Sequence, residues 1–270
     1  MAGSEGQKYK YTFRNDKGRV VYEGPVSPAL MHILVDFEMA SARHSDGQPL
    51  TIHFDTLEAF YQLTSSKPQP TDFGGAKGTL LMDPEMGTIS AGIFVVFGQM
   101  QEALIAHELA HMYLLAIGYP VVSAPDGAST LATGITNMGS HWPLSYYLRS
   151  CGIDVDSDYE RRIRNIATYL PSIDFGSADL TRLSLDFVDI LRFVVERTKY
   201  QFLRSVKERS PYLYELMEEL NAIVDSIPLE RRLTLRGTEE IMRLLCDYFP
   251  SARNYVVKKD VFSFFLPKSH

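Results

Sequence analysis

The spacing of apolar and polar positions divides the chain into two halves of different character. In the first hundred residues the pattern favours strands. "YKYTFRNDKGRVVYEG" alternates apolar and polar residues on both sides of Asn15-Asp16-Lys17-Gly18, which predicts a β-hairpin. Ser27 and Pro28 then open the helical run "PALMHILVDFEMASARH", with the serine as cap and the proline at the first helical position. "PLTIHFDT" predicts a strand, "TSSKPQPTDFGGAKG" a loop dense in Ser, Pro and Gly, and "GTLLMDP" and "TISAGIFVVFG" two further strands. After Gly98 the period changes to that of helices, predicted over residues 99–117, 137–151, 156–170, 178–208, 211–225 and 237–249. "NYVVKKDVFSFFLP" predicts a closing strand pair. Strands followed by helices, rather than a regular alternation, imply an α+β fold.

Composition narrows the class. The 270 residues are 45% hydrophobic and 22% charged, as in an ordinary globular protein. A formal charge of -6 argues against direct binding of nucleic acid, which calls for a basic face to displace counterions from phosphates. Cys151 and Cys246 are far apart in sequence and lie in predicted helices, as free thiols of a reducing compartment would. With no basic-then-apolar leader and no apolar run of about 18 residues, the expectation is a cytoplasmic protein without a membrane partner.

Chemistry concentrates in "QEALIAHELAHMYLLAIGYP". On a helix, His107 and His111 at i and i+4 lie one turn apart on the same face, so both imidazoles can reach one ion. Glu108 is rotated from His107 by roughly 100 degrees, placing it beside such an ion rather than on it. This is the HExxH spacing of zinc sites, in which zinc lowers the pKa of a bound water to about 7 and the glutamate takes its proton. Ala103, Leu104, Ala106, Leu109, Ala110, Leu114 and Leu115 make the helix apolar on most faces, so its three polar side chains call for partners when buried.

"AHELAHMYLLAIGYP" resembles the active helix of the zincin metallopeptidases, and its simplicity is similar to small zincins such as the IrrE-like bacterial and phage proteins. The resemblance covers about fifteen residues, and beyond them only the order of strands, active helix and further helices. It implies a zincin-like fold, zinc as cofactor, His107 and His111 as ligands and Glu108 as general base. It also implies that a strand just before the active helix, here "GIFVVF", receives the substrate in extended form. The domain expectation is a disordered terminus over 1–8, a zincin-like metallopeptidase domain over 9–175 and a helical C-terminal subdomain over 176–270. That subdomain is expected to shape substrate choice or bind a regulatory protein partner, and not to supply chemistry.

Two departures leave the third ligand open. Leu114 and Ile117 stand where HExxHxxGxxH would have Gly and His, and no glutamate occurs between His111 and Glu160. Asp126, His141 and Glu160 are the candidates. Asp126-Gly127 also reads as a plain turn, and Glu160 as a solvated partner of Arg161 to Arg164. His141 follows Asn137 and Ser140, both able to cap a helix, and precedes Trp142-Pro143, so it is expected in the first turn of a helix and is taken as the third ligand. Tyr119, Tyr146 and Tyr147 could offer a phenol to an oxyanion, though packing explains each as well. No chemistry is assigned to His32, His44 or His53. The resulting expectation is a zinc-dependent hydrolase that makes a limited cut in an intracellular protein or peptide. The alternative is a non-catalytic zinc-binding regulatory or partner-sensing protein.

Overall fold

The computed structural model describes residues 9–14, 20–44, 50–64, 76–83, 88–95, 102–125, 127 and 129–259. Among them helices predominate over three small sheets, and the fold is α+β. The chain forms two compact units. One comprises the described residues up to Ile117 together with Tyr147–Ile153, and the other Gly118–Tyr146 together with Asp154–Lys259.

In the first unit, β1 (Tyr9–Arg14) and β2 (Val20–Val26) pair antiparallel, as the alternating pattern predicts, while the turn residues 15–19 lie outside the described residues. A second sheet has the order β3-β5-β4, where β3 is Ile52–Thr56, β4 Ala76–Asp83 and β5 Thr88–Val95. β4 runs antiparallel to β5 along its whole length, and β3 runs parallel to it from Ala91 to Val95. The expected role of "GIFVVF" is therefore corrected. Over Ala91–Val95 the backbone of β5 is bonded on both sides and has no free edge to offer a peptide.

Side chains alternate across this sheet. Gly78, Ala91 and Ile93 share the face against α3 (Glu102–Ala116), which packs in turn on α1 (Pro28–Ala42). Phe37, Ala40, Leu50, Ala91, Met112 and Ala116 fill the core between them. The opposite face carries Phe94, whose ring lies 5.3 Å from Phe60 of α2 (Leu57–Thr64). The apolar pattern did not predict α2, because eight residues give barely two turns of periodicity.

The second unit is helical apart from β6 (Val121–Ser123), which pairs antiparallel with β7 (Val256–Lys258). The first part of the predicted closing pair is thus a strand, paired with β6, and residues 260–267 of the prediction lie outside the described residues. Helix α4 (Thr130–Ser150) begins in this unit, followed by α5 (Val155–Tyr169), α6 (Leu180–Leu191), α7 (Glu196–Arg209), α8 (Pro211–Asp225), α9 (Leu229–Arg232) and α10 (Leu235–Tyr248). Two glycines let α4 approach its neighbours closely. A Cβ on Gly134 would lie 3.0 Å from Leu185 Cδ1 of α6, and one on Gly139 would lie 2.9 Å from Met242 Cγ and 3.3 Å from the Thr238 carbonyl of α10.

Two helix boundaries differ from the periodicity. α4 starts at Thr130 rather than 137 and runs through Pro143, so His141 sits in mid-helix and not in a first turn. A proline in a helix interior loses a hydrogen bond and crowds the carbonyl of residue i-4. Here burial of Ile135 and Met138 before the proline and of Leu144 and Leu148 after it offsets that cost. The single helix predicted over 178–208 is two, α6 and α7, because Phe193 and Val194 turn into the core between them. No helix among the described residues is long and apolar enough to cross a membrane.

Candidate metal centre

α3 is tied at both ends to the α1 region. The Glu102 carboxylate at its first turn accepts from the Ser27 backbone N–H at 3.0 Å. At its far end the His44 Nε2 donates to the Ala116 carbonyl at 2.6 Å, satisfying one of the carbonyls that a helix leaves open at its C-terminus. Gly118, at φ +93°, then turns the chain in the left-handed conformation that commonly ends helices. The helix is buried by Leu104, Ile105, Ala106, Leu109, Ala110, Met112 and Leu114, so its orientation is fixed by packing.

On this rod His107 and His111 stand one turn apart, with ring centroids 4.9 Å from each other. His107 is buried and His111 half-buried. The ligand atoms of His107, His111 and His141 all lie within 4.8 Å of one another. Zinc–nitrogen distances of about 2.0–2.1 Å place tetrahedral ligands roughly 3.4 Å apart, inside the 4.8 Å that bounds the three ligand atoms here. Three neutral imidazoles suit zinc and leave a fourth position for water or substrate, the donor set of a catalytic rather than a structural site. The residues present therefore fit a zinc ion.

His141 is 4% exposed, and its Nδ1–H donates to the Asp189 carboxylate of α6 at 2.5 Å. The bond occupies Nδ1, so Nε2 is the nitrogen that would bind a metal. The sequence reading missed Asp189. The signal was present, since Asp189 lies four residues after the buried Leu185 in "LSLDFVDIL" and so falls on the apolar stripe, where an acid calls for a partner.

Glu108 is half-buried and lies against β4. A Cβ placed on Gly78 would sit 3.0 Å from Glu108 Oε2 and 3.1 Å from Glu108 Cβ, so the missing side chain is what lets the carboxylate lie along the strand. β4 is one edge of its sheet among the described residues.

The other candidates are placed otherwise. Asp126 lies outside the described residues. Glu160 caps a helix: its Oε1 accepts from the Val195 N–H at 2.8 Å and its Oε2 from the Thr198 hydroxyl at 3.1 Å, at the start of α7. The Tyr119 phenol donates to the Leu233 carbonyl at 2.9 Å. Tyr147 donates to Asp36 at 2.7 Å and stacks on Tyr113, its own ionisation pushed up by burial and that acid. Tyr146 is exposed. His32 lies 3.4 Å from Asp36 at the surface.

No family model, no curated protein and no solved structure matches this chain.

Proposed function

We propose that the protein is a zinc-dependent peptidase of zincin type, with His107, His111 and His141 as ligands and Glu108 as general base. The observation that carries this reading is the meeting of three histidine ligand atoms, two of them from an HExxH helix, within 4.8 Å. Bound there, zinc would polarise both the attacking water and the scissile carbonyl. The chain's own residues would do the rest. Glu108 takes the proton of the attacking water and passes it to the leaving amine. β4 is an edge of its sheet among the described residues, and along it an extended peptide would add as a further strand, next to the Glu108 carboxylate. This moves the substrate-binding role from β5 to β4.

The test compares wild type with Glu108→Gln. Both should hold about one zinc per chain, and only the wild type should cleave a quenched-fluorescence peptide library. His141→Ala should weaken zinc binding, while Glu160→Ala should not. Zinc bound equally well by both chains with no cleavage by either would favour the non-catalytic alternative. Equal cleavage by both would remove Glu108 from the mechanism.

A further inference from the structure

Buried carboxylates are rare because leaving water is costly for a charge, and each one calls for a partner that offsets the cost. Asp189 is 6% exposed and His141 4%. Their 2.5 Å hydrogen bond joins α6 to α4 at a spacing of 48 residues. Around the pair the surfaces are mostly aromatic. The Tyr159 ring lies 6.4 Å from His141 and stacks at 4.6 Å on Phe193, and its phenol is within 3.3 Å of Ser145. One turn beyond Asp189 on α6 comes Arg192. Its guanidinium, 5% exposed, is held by Asp225 at 3.1 Å and by the Asn221 side chain at 3.0 Å. Asp189 thus sits on a helix anchored at both ends, by Arg182 on the Thr130 carbonyl and by Arg192 on α8.

A purely structural His–Asp pair would have no need to stand beside two further imidazoles. Here the ligand atom of His141 is within 4.8 Å of those of His107 and His111. A carboxylate on the far nitrogen of a metal-binding histidine fixes its tautomer and ring orientation and makes it a better donor. We infer that Asp189 is the positioning residue of this centre, holding His141 Nδ1–H so that Nε2 faces the metal. The inference rests on the metal reading above. It also draws the C-terminal helices into the chemistry, against the sequence-based expectation that the subdomain over 176–270 supplies none.

The experiment is competition of the purified full chain against a chromophoric chelator for zinc. The variants are Asp189→Ala, Asp189→Asn, His141→Ala and the double variant, with Asp186→Asn on the same helix as control. Asp189→Ala should weaken zinc binding by roughly 10- to 100-fold. Asp189→Asn should weaken it less and alter the cobalt(II) absorption spectrum, and Asp186→Asn should change neither. In the His141→Ala background, loss of Asp189 should have no further effect on affinity, which a merely structural role would not reproduce. If Asp189→Ala does not fold, the near-isosteric Asp189→Asn with its cobalt spectrum decides. Zinc bound by wild type and both Asp189 variants with one affinity would overturn the inference while leaving the metal reading intact. So would an Asp189 effect that persists in full without His141. Zinc binding in wild type that survives His107→Ala/His111→Ala would overturn the metal reading itself, and the inference with it.

Discussion

Gly78 shows how much a single missing side chain can decide. At 3.0–3.1 Å from Glu108 and Met112 Cε, an added methyl group would displace the carboxylate rather than the backbone, since the end of a glutamate moves more easily than a strand. A shift of a few tenths of an ångström in a general base is costly when the reacting atoms must align. On the proposed mechanism, Gly78→Ala is therefore expected to keep zinc stoichiometry and KM while lowering kcat on the order of tenfold. In the Glu108→Gln chain the same change should do nothing more to peptide binding. An unchanged kcat would mean that the carboxylate has other room to occupy.

Among the elements, the break between α6 and α7 shows a local pattern overridden from a distance. "LTRLSLDFVDILRFVVERTKYQFLRSVKER" has no glycine or proline, and its polar and apolar residues continue at helical spacing, so nothing within the segment marks a stop. The stop comes from Phe193 and Val194, which turn into the core, and from Glu160 of α5, which supplies the cap that Val195 cannot. Caps of this kind contribute about 1 kcal/mol. Glu160→Ala should lower the unfolding free energy by about that amount in urea titration, with zinc affinity unchanged. A loss of zinc affinity at intact stability would return Glu160 to the list of ligands. Pro143 illustrates the opposite case, a residue that normally stops a helix and here does not, because buried residues of α4 continue past it.

For the molecule as a whole, groups that burial keeps neutral govern the alkaline limit. Burial pushes the Cys246 thiol up to about 11 and raises Cys151, Tyr147 and Tyr159 as well. In the unfolded chain these groups ionise at their ordinary, lower pKa values. Above pH 9 or so the unfolded state then binds fewer protons than the folded one, and stability falls as pH rises. The unfolding midpoint should be nearly level around neutrality and decline on the alkaline side. In Cys246→Ala the decline between about pH 9 and 11 should be shallower, whatever its midpoint at pH 7. An identical slope in that window would show that the thiol is not shielded.

The sequence by itself determined what local periodicity can carry: the α+β class, the β1–β2 pairing, α3 with its two histidines, and most helix positions to within a few residues. His107, Glu108 and His111 were legible because their geometry is internal to one helix, where spacing and direction are fixed by 3.6 residues per turn. Whatever depended on two elements meeting was settled only by tertiary structure. Among the described residues the order β3-β5-β4 made β5 central and β4 an edge. Packing carried α4 through Pro143 and placed His141 in mid-helix. Asp189 was brought to His141 across 48 residues. The physical reason is that burial and hydrogen bonding reward contacts regardless of their distance along the chain, whereas a sequence pattern records only what neighbouring residues do to one another.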